Sequence, residues 1–301
     1  MKKYLIVIAG PTGIGKTDLS IALAKHYRTE IISCDSRQFY KEMNIGTAVP
    51  DPSHLEEINH HFIQNLSVKD SYTVGQFEKD ALQKIESIHQ KNPVALMVGG
   101  SGLYIDAVCK GLDDFPKIPE DLRAKLNERL LNEGIQALEK ELIERDPEYH
   151  KVVDISNPHR IIRALEVCIA SGKPFSSFRK KQNKSRKFET LKIILNRDRE
   201  ILYERINKRV HKMMKEGLLE EARALYPFKN YNALQTVGYR ELFAYLDGEW
   251  NLETAIEEIK KNTRRYAKRQ MTWFRRDPET LFFDPKEEEA ILKYLNQQIT
   301  S

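Results

Sequence analysis

The sequence predicts an α/β fold, a parallel sheet sandwiched by helices, with an inserted all-helical subdomain. Three observations predict it. Short runs of apolar and β-branched residues alternate with helical stretches; the first run empties into a glycine-rich phosphate motif; and over residues 113–187 the alternation gives way to helices alone.

The first run, YLIVIA, reads as a buried strand and leads into GPTGIGKT, which fits G-x-x-x-x-G-K-T. Gly10, Gly13 and Gly15 let the backbone turn its N–H groups inward. Pro11, Thr12 and Ile14 complete the loop, Lys16 adds a point charge, and Thr17 offers a hydroxyl to Mg²⁺ where a helix begins. Leu19, Leu23 and Ala24 give that helix an apolar face. Gly10 to Thr17 is therefore expected to hold a diphosphate, and the core to be P-loop NTPase-like. Further strands are expected over residues 30–35, 93–99 and 191–195. The core then comprises residues 1–112 and 188–301, and the helical insertion 113–187. Inside the insertion, Asn157-Pro158 is a cap followed by proline at the first helical position, and Gly172 with Pro174 closes the helix. At 3.6 residues per turn, His159, Arg160 and Arg163 share one arc, and Ile161, Ile162, Leu165 and Ile169 the opposite one. Near the C-terminus an apolar stripe from Leu252 to Phe274, which includes Tyr266 and Gln270, predicts one long amphipathic helix.

The chain has 301 residues, 41% of them hydrophobic, enough for a sizeable core. No apolar run approaches a membrane span, and the Lys2-Lys3 start is too short for a signal peptide, so a cytoplasmic protein with no membrane partner is expected. Cys34, Cys109 and Cys168 lack metal or disulfide spacing. His60 and His61 are adjacent and diverge on any regular element, which speaks against a shared metal. The net charge of +5 is concentrated in two clusters, residues 179–187 and 260–276. Such clusters suit a polyanion, and equally an ordinary solvated surface.

An NTP-hydrolysing site needs an acidic residue at the end of a second apolar strand. The best candidate, VALMV, ends in Gly99-Gly100-Ser101-Gly102 with no carboxylate. Asp35, in SCDSRQFY, instead ends the preceding strand at the carboxyl edge, where α/β sheets bind ligands. The same carboxylate also suits a cap on the following turn.

The strings GPTGIGKT, DSRQFY, IGTAVP, SYTVGQF, VGGSGLY, HRIIRALEV, RI-x-x-RV, VGYRELFAYL and TRRYAKRQMTWFR, in this order, resemble the tRNA dimethylallyltransferase (isopentenyltransferase) family over nearly the whole chain. The resemblance implies transfer of a dimethylallyl group from dimethylallyl diphosphate to N6 of adenine 37, just 3′ of the anticodon of tRNA. The expected partners are thus dimethylallyl diphosphate and a tRNA anticodon stem-loop, with the chain acting as a monomer and with Mg²⁺ on Thr17. Asp35 is implied as the base, and Lys16 and Arg209 as the cations that steady the departing pyrophosphate. Arg209 falls at the edge of the stripe Leu202, Ile206, Val210 and Met213, where a snorkelling side chain also belongs. Contacts to tRNA are implied for Asp35, Ser36, Arg37, Gln38, Ser101, Arg123, His159, Arg160, Ile161, Ile162 and Arg163. Ser101 stands where the family often has threonine, and keeps the hydroxyl. No zinc-binding C-terminal extension, found in some relatives, is expected. Two other functions compete: an ATP-dependent kinase of a small molecule or nucleoside, and a non-catalytic RNA-binding module.

Overall fold

The computed structural model describes residues 2–180, 183–277 and 280–300. Among them six strands form one parallel sheet: β1 (Tyr4–Ala9), β2 (Ile31–Ser33), β3 (His60–His61), β4 (Val94–Gly99), β5 (Glu189–Leu195) and β6 (Phe282–Phe283). Their spatial order is β3-β2-β4-β1-β5-β6. The expected strands at 4–9, 93–99 and 191–195 are there. That at 30–35 is shorter, because the chain turns at Asp35, whose carbonyl accepts the Gln38 N–H at 3.1 Å. β3 and β6 were not expected; two residues each carry no readable alternation.

The helices follow in order: α1 (Lys16–Tyr27), α2 (Pro52–Glu57), α3 (Val74–Ile88), α4 (Gly102–Lys110), α5 (Leu122–Glu133), α6 (Ile135–Arg145), α7 (Pro147–His150), α8 (Pro158–Ser171), α9 (Arg199–Lys215), α10 (Leu218–Leu225), α11 (Tyr239–Leu246), α12 (Leu252–Phe274) and α13 (Glu288–Thr300). All six residues of β1 are buried, as a strand covered on both faces requires. Leu5, Val7 and Ala9 point into one core with Phe77, Met97 and Tyr239. Tyr4, Ile6 and Ile8 point into the other with Leu23, Leu96 and Ile193.

The expected C-terminal helix is α12, with the same bounds. Asn251 caps it by accepting the Thr254 N–H at 2.8 Å, and its stripe, including Ala255, Ile259, Ala267, Met271 and Phe274, is buried. α13 was not anticipated; it lays Ile291 and Leu295 on the second core.

The chain divides into two compact units, Met1–Cys109 with Ser185–Ser301, and Lys110–Lys184. The helical unit thus lies three residues earlier than 113–187 at each end. Its ends meet where the Lys184 N–H reaches the Lys110 carbonyl at 2.7 Å. Arg186 belongs instead to the larger unit, donating to Glu78 and to the carbonyls of Ala107 and Val108. Within the smaller unit, Leu126, Leu138, Leu142, Ile161, Ile162 and Leu165 form a core of their own. Asn157 caps α8 and Gly172 ends it in the left-handed conformation.

Candidate active site

Parallel pairing sets Ala9 beside Gly99 and Ile194, so the phosphate loop and the loop after β4 leave the sheet at one level. The chain visits β2 and β3 on one side of β1 and β5 and β6 on the other, which opens a crevice at the carboxyl edge. Gly10, Gly13 and Gly15 all have positive φ (152°, 78° and 108°), the backbone that turns N–H groups inward. Pro11 and Ile14 are buried, so they shape the loop through the main chain while Ile14 packs into the core beneath. Thr17 follows Lys16 in the first turn of α1.

Lys16 folds back across its own loop, donating to the carbonyls of Gly10 (3.1 Å) and Pro11 (2.9 Å). Burial pulls its pKa down to about 8. Asp35 opposes that shift and Arg209 adds to it. Arg209 is likewise lowered by burial and sustained by Asp35. Among the described residues its guanidinium donates no hydrogen bond, and it lines a cleft of about 390 Å³ together with Thr12, Asp35, Arg37, Tyr266 and Arg269. One carboxylate thus acts electrostatically on two cations beside the phosphate loop. Burial pushes Tyr266 up to about 12, which keeps its phenol protonated as a donor in the cleft.

Asp35 also serves its turn: Oδ1 accepts the Arg37 N–H at 3.0 Å. Cap and cleft-facing carboxylate are the same group. The Ser36 N–H donates to Ser101 Oγ at 3.2 Å, which ties the loops after β2 and β4 together. Arg37 donates to the carbonyls of Asn232 and Ala233, and Gln38 to those of Thr47 and Ala48. In this structure both side chains brace the cleft wall.

The wall formed by Gly46 and Thr47 rests on Glu221, whose carboxylate accepts the N–H groups of Asn44, Ile45 and Gly46 at 2.8–3.0 Å and the Tyr239 hydroxyl at 2.7 Å. Glu221→Ala leaves three amides and a phenol without their acceptor. A loss of about 3 kcal/mol or more is expected, read as a lower urea midpoint at unchanged slope.

In the helical unit, His159 and Arg160 are exposed and Arg163 is half-exposed, as the helical arc requires. Arg163 and Arg123 share the buried Glu166, with Arg123 bidentate at 2.5 and 3.0 Å. Ile161 and Ile162 require a correction. Their side chains are 0% and 2% exposed and fill the core of the unit, so they cannot present themselves to an RNA. The polar arc of α8 is His159, Arg160 and Arg163, as its helical period predicts.

The basic run 179–187 is partly paired within the protein: Lys184 pairs with Asp114, Arg186 with Glu78 and Lys187 with Glu86, while Arg179 sits over Tyr149. Lys181 and Gln182 of this run lie outside the described residues. In the second cluster Arg269 reaches the cleft, whereas Lys260 is buried and paired with Glu257. The histidine pair diverges, His60 toward the Ile58 carbonyl and His61 toward Glu30. Among the described residues no cluster of metal-ligating side chains occurs.

Thr47, Arg240, Tyr266 and Arg269 line the cleft without having been singled out as site residues. Only the longer strings containing them marked them in the sequence. Gln270 was placed in the apolar stripe, and a buried amide in such a stripe is itself a signal of a polar task.

Fold and cleft define a P-loop α/β protein whose phosphate loop opens beside a carboxylate and a set of cations. The chain belongs to the IPP transferase family, which it matches over residues 38–277. It is 57% identical to the tRNA dimethylallyltransferase of Christiangramia forsetii over 100% of both chains. With that of Flavobacterium johnsoniae it shares 53% identity over 99% of each. Among solved structures, the full-length tRNA isopentenylpyrophosphate transferase of Bacillus halodurans matches at 36% identity and a TM-score of 0.73, covering 99% of this chain and 97% of that one. A eukaryotic dimethylallyltransferase captured acting on tRNA matches at 31% identity and a TM-score of 0.77, covering 91% of this chain and 70% of that one.

Proposed function

We propose that this protein transfers the dimethylallyl group of dimethylallyl diphosphate to N6 of adenine 37 in tRNA, yielding N6-(dimethylallyl)adenosine and diphosphate. The observation that carries the proposal is a cleft lined by Asp35 and Arg209 beside the phosphate loop that holds Lys16, in a chain 57% identical to a named tRNA dimethylallyltransferase. The bond from C1 to the diphosphate oxygen breaks as the bond from N6 to C1 forms. Asp35 takes the N6 proton, and Lys16 and Arg209 steady the charge gathering on pyrophosphate.

Gly10 to Thr17 would cradle the diphosphate through the main chain. Mg²⁺ keeps most of its waters and binds mainly through substrate phosphates, so a lone hydroxyl fits a cation delivered with the substrate better than a resident metal. Thr17 would hold it there, where it would supply further charge neutralisation. Ser36, Arg37, Gln38 and Ser101 are proposed to meet the RNA beside the target base, and Arg123, His159, Arg160 and Arg163 elsewhere along it. Extruding the adenine from its loop costs a few kcal/mol. No described helix is long and apolar enough to cross a membrane. The enzyme is proposed to work in the cytoplasm, where its RNA substrate is, as a monomer.

A kinase sharing this loop is not favoured by the full-length relatives. The deciding experiment mixes the protein with dimethylallyl diphosphate, ATP and an unmodified anticodon stem-loop, and follows prenyl incorporation and ATP depletion separately. Incorporation without depletion is expected; depletion without incorporation overturns the proposal.

A further inference from the structure

Gln270 is a polar residue in the buried stripe of α12, 7% exposed, between Ala267, Met271 and Phe274. A primary amide is tolerated at such a place only if both of its ends are bonded. Both are, and to different loops. Oε1 accepts the Thr12 N–H of the phosphate loop at 3.0 Å, and Nε2 donates to the Gly100 carbonyl of the loop after β4 at 3.0 Å. Gly100 makes room for this: a Cβ there would stand 2.2 Å from Nε2.

The sheet fixes where these loops begin, through Ala9 beside Gly99, but nothing in strand pairing governs them further out. One loop carries Lys16. The other carries Ser101, bonded to Ser36 next to Asp35. Their spacing therefore sets the distance between the group that steadies the leaving diphosphate and the group that faces the incoming amine. One turn to either side of Gln270, α12 adds Tyr266 to the cleft wall and lays Trp273 against Gly102, with the indole N–H on Asp106 at 2.9 Å.

We propose that Gln270 is a positioning residue for the transfer, its amide holding the phosphate loop and the loop after β4 in one register. The proposal rests on the prenyl transfer argued above and adds to it the element that aligns the two reactants. Each substrate binds largely to its own loop, so breaking the bridge misaligns them while leaving each bound. Small misplacements of reacting groups cost large factors in rate.

Gln270→Met keeps the length and fills the site but bridges nothing. With anticodon stem-loop and dimethylallyl diphosphate both saturating, kcat is expected to fall about thirtyfold or more. The dissociation constants of inorganic pyrophosphate, by calorimetry, and of the stem-loop, by fluorescence anisotropy, are each expected to move less than about threefold. A thermal melt gives the folded fraction to which rates are normalised. Should this variant not fold, Gln270→Glu carries the same test, since it keeps the acceptor for Thr12 but turns an oxygen toward the Gly100 carbonyl. Retention of kcat within about threefold, a loss of pyrophosphate affinity in step with kcat/KM, or failure of both variants to fold overturns the proposal. Wild-type protein that prenylates nothing removes the proposed function instead, and is seen before any variant is read.

Discussion

Asp35→Asn is expected to lower kcat by about 10² or more while leaving pyrophosphate affinity nearly unchanged. The choice of asparagine follows from the double task of this side chain. Oδ1 accepts the Arg37 N–H, and an amide oxygen still does so; what asparagine cannot do is take a proton from the exocyclic amine. Asp35→Ala removes both functions, so the difference between the two variants separates the turn from the chemistry. If Asp35→Asn turns over normally and only Asp35→Ala fails, the carboxylate is a cap and the base lies elsewhere. Rapid-quench single turnover with labelled stem-loop reads the chemical step directly. This carboxylate also acts electrostatically on Lys16 and Arg209. Neutralising it strengthens the positive field at the loop, so any change in diphosphate affinity is expected toward tighter binding.

Lys16→Met is expected to weaken pyrophosphate binding by about 10-fold to 10²-fold, the range for losing a hydrogen bond made by a charged group. Wild-type binding should also depend on pH in a defined direction. In the free protein burial brings Lys16 down to about 8, from 10.5. Diphosphate favours the charged ammonium, so binding above pH 8 must recharge it, and affinity falls as pH rises through that value. In Lys16→Met this decline is expected to vanish. Folding shows the opposite slope. Between about pH 8 and 10.5 the unfolded chain holds more protons at this site than the folded one, so the Lys16 contribution to stability rises with pH over that window. Calorimetric titrations from pH 7 to 9.5 check the binding trend, and urea midpoints on the same buffers check the folding trend. A flat wild-type binding profile would remove Lys16 as the titrating partner of the diphosphate.

Much of the candidate site's local geometry was legible because its residues are close in sequence and their backbone requirements are local. Gly10, Gly13 and Gly15 mark positive φ wherever the chain goes next, and Lys16 and Thr17 follow as the first turn of α1. The arc of His159, Arg160 and Arg163 likewise needed only the helical period. Ile161 and Ile162 show the limit of carrying a contiguous motif over whole: successive residues on a helix point in different directions, and these two point into the core. The partly paired run at 179–187 shows another. A count of charges does not reveal that Asp114, Glu78 and Glu86 answer Lys184, Arg186 and Lys187.

The amino-acid order alone determined the phosphate loop, the strand that feeds it, the helical stretch in mid-chain and the whole of α12, since each follows from periodicity, capping or glycine placement within a few turns of chain. Tertiary structure decided the two-residue strands at the sheet edges, the docking of α13, the Glu221 anchor beneath the cleft wall and the bond from Gln270 to Thr12, 258 residues away. Hydrogen bonds between distant segments exist only once sheet pairing and core burial have brought those segments together. No local pattern in the chain encodes such a distance.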